Sequence, residues 1–129
     1  MTIQLDHIIV PSHTRDASAK QLAHLLGVPC GPAKEGPFFA VYINDSLTLD
    51  FIETDEPFPI EHYCFRVDDE AFDAILKKLQ AAGIEYRSTV RGTVDRRINT
   101  NYGGRMIYWN EPDGHQWEIL TVSYARQPK

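Results

Sequence analysis

An internal repeat constrains this chain more than any other feature of its sequence. Residues 60–83 begin with a strand-like segment that carries His62, continue with apolar residues at helical spacing and end at a glycine. Residues 5–27 follow the same order from a segment that carries His7. The histidine and the closing glycine are 20 positions apart in the first copy and 21 in the second. We therefore predict two copies of one folding unit, with the two histidines at equivalent places.

Strand alternation, helical spacing and turn residues predict the elements of both copies. In the first copy they predict strands at 3–10, 38–43 and 47–53, a helix at about 14–26 and a loop at 28–37. In the second copy they predict strands at 60–67, 84–88, 105–110 and 115–122 and a helix at 69–82. Taken as strand, helix and three strands in each half, the pattern predicts eight strands and two helices, and an α+β fold. The long polar segment 88–103 is expected to be a lid or disordered, and 123–129 a frayed tail.

Composition limits the classes of function. A chain of 129 residues is long enough for one domain, and its net charge of −5 without basic runs argues against a nucleic-acid surface. The longest apolar runs fall well short of the roughly 20 residues that span a membrane, and the N-terminus lacks the pattern of a signal peptide. Cys30 and Cys64 form no disulfide framework and are expected to be reduced thiols. A cytoplasmic protein without a membrane or nucleic-acid partner is predicted.

The repeat also pairs residues that can bind a metal. His7 and His62 open the two halves, and a carboxylate lies in an apolar strand near the end of each half, Asp50 in the first and Glu118 in the second. A buried carboxylate costs several kcal/mol unless it is paired or binds a metal. Two imidazoles and one or two carboxylates suit Fe(II), Mn(II), Ni(II) or Zn(II). The alternatives are histidines with ordinary core or surface roles, and carboxylates that point to solvent.

These segments resemble a known family. His7 in LDHIIV, His62 in EHYCFRV and Glu118 in YWNEPDGHQWEIL are similar to the vicinal oxygen chelate superfamily. This superfamily includes glyoxalase I, extradiol dioxygenases, fosfomycin-resistance enzymes and bleomycin-binding proteins. The Pro-Asp-Gly turn followed by an aromatic-Glu-aliphatic strand is the most specific part of the resemblance, which covers nearly the whole chain.

The resemblance implies one domain, 1–129, made of two paired βαβββ modules at about 1–54 and 60–122. Together the modules would form a cupped, eight-stranded mixed sheet around a divalent metal. The ligand positions of the family fall on His7, His62 and Glu118. The implied function is a metal-dependent enzyme, of the isomerase, dioxygenase or epoxide-addition type. Its substrate would be a small molecule that chelates the metal through adjacent oxygens.

Two further residues receive roles through the same resemblance. Asp50 stands where glyoxalase I carries a carboxylate ligand, so it is a candidate fourth ligand, a group that orients a ligand, or a general base; the alternative is a surface aspartate. Tyr108 stands near a substrate-contacting tyrosine of related enzymes and is a candidate donor to a substrate oxygen; the alternative is a core aromatic. Short members commonly form homodimers, in which His7 of one chain could complete the site of the other.

A second class of function is compatible with the sequence. Bleomycin-binding members of the superfamily sequester an aromatic or cationic drug without a metal. The negative charge of the chain and four aromatic residues would suit such a ligand: Tyr102, Tyr108, Trp109 and Trp117. The retained set of metal-binding residues favours the enzyme.

Overall fold

The computed structural model describes residues 2–126, which divide between two compact units, 2–59 and 60–126. In chain order the described elements are β1 (His7–Ser12), α1 (Arg15–Leu26), β2 (Cys30–Pro32), β3 (Phe38–Tyr42), β4 (Thr48–Glu53), β5 (His62–Arg66), α2 (Asp69–Ala81), β6 (Met106–Asn110) and β7 (Gln116–Leu120). The fold is α+β with mixed sheets, as predicted. Within the described residues there are seven strands, in sheets of four and three, instead of one eight-stranded sheet.

The N-terminal unit has the predicted order of strand, helix and three strands. Its sheet has the order β1-β4-β3-β2, with β1 parallel to β4 and the other pairs antiparallel. Residues 28–37, predicted as a loop, contain the short strand β2. The prolines and glycines of this segment predict a loop, so a strand of only three residues is not recognised from the sequence.

Strand β1 continues past the predicted end at residue 10. The Asp6 carbonyl accepts a hydrogen bond from Thr48 of β4, and the Ser12 carbonyl accepts one from Thr54, directly after β4, so the even-numbered residues of β1 face that strand. The nitrogen of Pro11 therefore points away from β4, where a missing N–H costs no ladder hydrogen bond. This pairing keeps His7 and Ile9 on one face and Val10 on the other, which is buried.

The start of α2 and the ends of both helices have local causes. Asp68 precedes α2, and its carboxylate accepts a hydrogen bond from the Ala71 backbone N–H at 2.8 Å, which caps the first turn. Gly27 and Gly83 follow the two helices with φ of 70° and 67°, a conformation that favours glycine. Among the helices of residues 2–126, none combines the length and apolarity that a membrane crossing needs.

The C-terminal unit repeats the pairing of the first. Its sheet has the order β5-β7-β6, with β5 parallel to β7 and β6 antiparallel to it. One face of β6 and β7 carries Trp109 and Trp117, both fully buried, and Tyr63 on β5 stacks on Trp117 with ring centroids 5.3 Å apart. This aromatic layer fills the core side of the sheet, and the opposite face carries Glu118 together with apolar residues such as Leu120.

The predicted strand at 84–88 is interrupted because the chain leaves the sheet after residue 87. Arg87 pairs with Tyr108 through two backbone hydrogen bonds of 2.9 Å, but the next pair on that edge of β6 is Asn99 with Met106. Residues 88–98 leave the sheet between these two pairs. The Asp95 carboxylate accepts hydrogen bonds from the Ser88 backbone and hydroxyl and from the Arg97 backbone, which holds the excursion in place. This interruption is the reason why seven strands, and not the predicted eight, are found within the described residues.

The cap of α2 provides a test of the fold. Asp68→Ala removes the carboxylate that accepts from Ala71, so the free energy of unfolding should fall by about 1 kcal/mol. Asp68→Asn keeps a capping oxygen and should lose much less. Chemical denaturation of both variants measures the difference; equal stability of Asp68→Ala and the unchanged protein would contradict the role of the cap.

Candidate metal centre

Three neighbouring strands of the C-terminal unit bring the predicted residues together. In the register of the sheet Glu118 on β7 lies between Cys64 on β5 and Tyr108 on β6. Because paired residues point to the same face, these three side chains share the face opposite the tryptophans. His62 lies two residues before Cys64 and shares that face as well. The parallel pairing of β5 with β7 therefore creates the cluster.

Glu118 is the centre of this cluster. Its side chain is fully buried, and its Oε1 contacts His62 Nε2 at 3.1 Å and accepts a hydrogen bond from the Tyr124 hydroxyl at 3.0 Å. Its Oε2 is buried and has no hydrogen-bond partner among the described residues. A buried carboxylate oxygen without a partner is costly, so this atom is a position at which a cation would be stabilised.

His62 and Glu118 fit a divalent metal. The His62 side chain is 40% exposed, so a ligand can reach its ring, whereas Glu118 is at the bottom of the cluster. The 3.1 Å between His62 Nε2 and Glu118 Oε1 places the imidazole nitrogen beside the carboxylate whose second oxygen, Oε2, has no partner among the described residues. Imidazole nitrogen and carboxylate oxygen are ligands that Fe(II), Mn(II), Ni(II) and Zn(II) accept.

Tyr108 and Cys64 form the walls around the carboxylate. Tyr108 is 6% exposed, its ring centroid is 6.2 Å from that of His62, and its hydroxyl contacts the Met106 sulfur at 3.6 Å. Desolvation, with the nearby Glu118 carboxylate, raises the pKa of Tyr108 above its ordinary value and that of the Cys64 thiol to about 12. Cys64 is therefore a neutral thiol near pH 7.

The other two predicted residues belong to the N-terminal unit. His7 is exposed, and its Nδ1 is 2.8 Å from Asp6 Oδ2. Asp50 lies on β4 beside Ile9, on the same face as His7. The hydrogen bond to Asp6 raises the pKa of His7 above its ordinary value, and the charges of Asp6 and Asp50 act in the same direction. This unit thus brings together one imidazole and one carboxylate, as the C-terminal unit does.

No group of three or more His, Cys, Asp or Glu side chains suited to hold a metal is found within residues 2–126. What the C-terminal unit itself supplies is the two-residue set of His62 and Glu118, with Tyr124 attached to the carboxylate.

Tyr124 is a site residue that the sequence prediction missed. It lies in the segment 123–129, predicted as a frayed tail, of which residues 127–129 are outside the described part. Its ring packs against Tyr102 at a centroid distance of 5.4 Å while its hydroxyl binds Glu118. The sequence signal available was an aromatic residue six positions after the glutamate.

His115 is a second residue whose role was predicted wrongly. Its position at the Pro-Asp-Gly turn predicts a surface role, but it is fully buried. Its Nδ1 accepts a hydrogen bond from the Glu61 backbone N–H at 2.9 Å, which ties the start of β5 to the start of β7. His115 therefore helps to set the register that places His62 beside Glu118.

A cavity of about 340 Å³ opens on the same face. Two of its wall residues, Cys64 and Tyr124, are neighbours of Glu118. Its remaining wall residues are Arg66, Leu120, Ser123, Ala125 and Arg126. The size is at the lower end of the range for small-molecule sites in proteins.

The similarity to two solved oxidase structures extends over almost the whole chain. Oxidase ChaP-H2 is 39% identical with a TM-score of 0.90, and covers 96% of this chain and 97% of its own. Oxidase ChaP-H1 is 39% identical with a TM-score of 0.89, and covers 97% of this chain and 100% of its own. No protein-family model and no curated protein matches the sequence.

More distant solved structures share the fold. A glyoxalase/dioxygenase from Nostoc punctiforme is 20% identical with a TM-score of 0.67, and covers 93% of this chain and 91% of its own. The fosfomycin resistance protein FosX from Listeria monocytogenes is 20% identical with a TM-score of 0.68, and covers 97% of this chain and 98% of its own. These structures show the fold, and the 39% identity to the two oxidases over almost the whole chain shows that the chain belongs to their family, in agreement with the resemblance to the vicinal oxygen chelate superfamily found in the sequence.

Proposed function

We propose that the protein is a metal-dependent oxidase that acts on a small molecule with two adjacent oxygen atoms. The oxidase class is supported by the two structures that are 39% identical, both named oxidases. Metal dependence is supported by one observation above all, the buried Glu118 carboxylate with an unpartnered Oε2 beside His62. Fe(II) and Mn(II) are the preferred candidates for oxygen chemistry, and Ni(II) or Zn(II) would accept the same ligands.

In this proposal His62 Nε2 and Glu118 hold the metal, and His7 is the third ligand, as the superfamily resemblance implies. Glu118 offers Oε2 to the cation, because the Tyr124 hydroxyl binds Oε1 and Oε2 has no partner among the described residues. The Tyr124 hydroxyl holds Oε1 and so fixes the orientation of the carboxylate. When bound, the metal supplies Lewis-acid stabilisation of negative charge on the oxygens of the substrate.

The remaining residues act on the substrate itself. Tyr108 lies beside Glu118 in the register, and a phenol hydroxyl at this position can donate a hydrogen bond to a substrate oxygen. Asp50 is half-buried next to the strand of His7, and we propose that it accepts a proton from the substrate or orients His7. The short reach of an aspartate favours these roles over a direct bond to the metal.

A metal-free drug-binding module is the weaker alternative. Of the four aromatic residues offered for such a role, Trp109 and Trp117 are fully buried on the core side of the sheet. Tyr108 is also buried, so Tyr102 is the one of the four that is well exposed. The remaining aromatic surface is small for a ligand that would be held by stacking alone.

We further propose a homodimer, and a cytoplasmic location that suits the free thiols of Cys30 and Cys64. A dimer would allow His7 to reach a site in the same chain or in the second copy. A site built within one chain and a site built across two chains differ in metal binding when His7 and His62 variants are mixed.

Metal content tests the ligand pair. Protein purified in Fe(II)- or Mn(II)-supplemented medium should carry about one metal per chain. His62→Ala should lose most of this metal because it removes a ligand, whereas His24→Ala removes an exposed imidazole on α1 and should keep it. Elemental analysis by plasma mass spectrometry gives the stoichiometry. Equal metal content in the two variants would contradict the assignment.

The role of Tyr124 predicts a graded effect. Tyr124→Phe removes the hydroxyl that holds Glu118, so affinity for Mn(II) should fall by about tenfold while the metal remains able to bind. Tyr102→Phe changes the neighbouring ring in the same way, without touching Glu118, and serves as the control. Titration calorimetry of chelator-treated protein measures both, and unchanged affinity in Tyr124→Phe would show that the hydrogen bond does not position the ligand.

Mixing two variants tests where His7 acts. His7→Ala and His62→Ala each lack one proposed ligand, so neither should bind metal tightly. If His7 serves a site in the second copy, random mixing of subunits restores about a quarter of the sites, because half of the dimers then contain one intact site of two. If each chain builds its own site, mixing restores none. Binding in His7→Ala alone, at the affinity of the unchanged protein, would remove His7 from the ligand set.

A further inference from the structure

We propose that the cavity of the C-terminal unit binds an anionic group of the substrate through Arg66 and Arg126. The proposed ligand is an aromatic or other apolar acid whose carboxylate, or phosphate, lies at one end and whose adjacent oxygens lie at the other. This inference rests on the proposed function for the chelating end of the ligand. The anionic end follows from the residues of the cavity alone.

The strand geometry places the two ends at a fixed separation. His62, Cys64 and Arg66 share one face of β5, because alternate residues of a strand point the same way. At about 3.3 Å per residue, the Cα atom of Arg66 is about 7 Å from that of Cys64 and about 13 Å from that of His62. A ligand that reaches from the Glu118 carboxylate to the Arg66 guanidinium therefore spans one or two aromatic rings.

Two arginines give the cavity its charge. Arg66 and Arg126 both line it, and neither guanidinium has a hydrogen bond or ion pair within residues 2–126. The contrast is Arg105, whose guanidinium is bound by Asp69 and Asp73 at 3.0 and 2.7 Å. In a chain with 18 acidic and 13 basic residues, two arginines facing one cavity without a carboxylate are available for an external anion.

The surfaces between the arginines and Glu118 are apolar or aromatic. Leu120 is 4% exposed and forms a buried cluster with Met106 and Tyr108, and the Tyr124 side chain also lines the cavity. Such a wall packs against a hydrophobic ring and cannot solvate a charge. The cavity therefore combines an apolar middle with a cationic end, which is the arrangement expected for an amphipathic acid.

The test uses protein freed of metal with a chelator, so that the chelating end plays no part. 2-Naphthoate is titrated against 2-naphthamide, its neutral analogue of nearly the same shape, and amide chemical shifts are followed by NMR. The carboxylate should bind about tenfold more tightly than the amide, because it gains charge-assisted hydrogen bonds from guanidinium. The largest shifts should fall on residues 64, 66, 120 and 124.

The variants separate charge from shape. Arg66→Ala with Arg126→Ala should abolish the preference for the carboxylate and leave binding of 2-naphthamide unchanged. Arg66→Lys with Arg126→Lys keeps the charge and should retain part of the preference. Arg91→Ala removes an exposed arginine outside the cavity and should change neither ligand. Competition with inorganic phosphate and with acetate then distinguishes a phosphate from a carboxylate as the preferred anion.

The possible failures are distinct. Equal affinity for 2-naphthoate and 2-naphthamide, or a preference that survives the double alanine variant, would overturn the anion site whatever the metal content. A preference that depends on both arginines supports the anion site even in a protein that never takes up metal. Failure of the unchanged protein to take up metal would contradict the proposed metal-dependent function and leave this inference standing.

Discussion

The buried carboxylate of Glu118 is the constraint on which the C-terminal unit depends. A charged group without solvent costs several kcal/mol in an apolar surrounding, and the chain places this one between the apolar strands of a sheet. Its Oε1 is satisfied by His62 and Tyr124, while Oε2 has no partner among the described residues. An arrangement that leaves one oxygen unsatisfied is expensive for a structural residue and appropriate for a metal ligand.

The geometry of the cluster follows from the pairing of parallel strands. β5 and β7 are neighbours in the sheet although α2 and β6 lie between them in sequence. His115 fixes where this pairing begins, because its ring accepts a hydrogen bond from the Glu61 backbone. A shift of β5 by one residue would turn His62 to the tryptophan face and replace it by Tyr63. The same parallel pairing joins β1 to β4 in the first unit, next to His7 and Asp50.

Much of this fold could be predicted because the repeat and the helix ends are encoded locally. Asp68 and the two helix-terminating glycines act within one turn of chain, so their roles can be inferred from sequence. The interruption of the predicted strand at 84–88 could not, because it depends on side-chain hydrogen bonds from Asp95 to Ser88 across seven residues of loop. His115 and Tyr124 were missed for a similar reason, since their partners, Glu61 and Glu118, are fixed only when the strands pair.

Whether a metal joins His62 to Glu118 can be decided most directly by anomalous diffraction from crystals grown with Mn(II). The expected result is one strong peak in the anomalous map within about 2.3 Å of His62 Nε2 and of a carboxylate oxygen of Glu118. That peak should be absent from crystals of His62→Ala grown under the same conditions. Ordered density for both side chains, with Mn(II) bound elsewhere or nowhere, would contradict the metal centre.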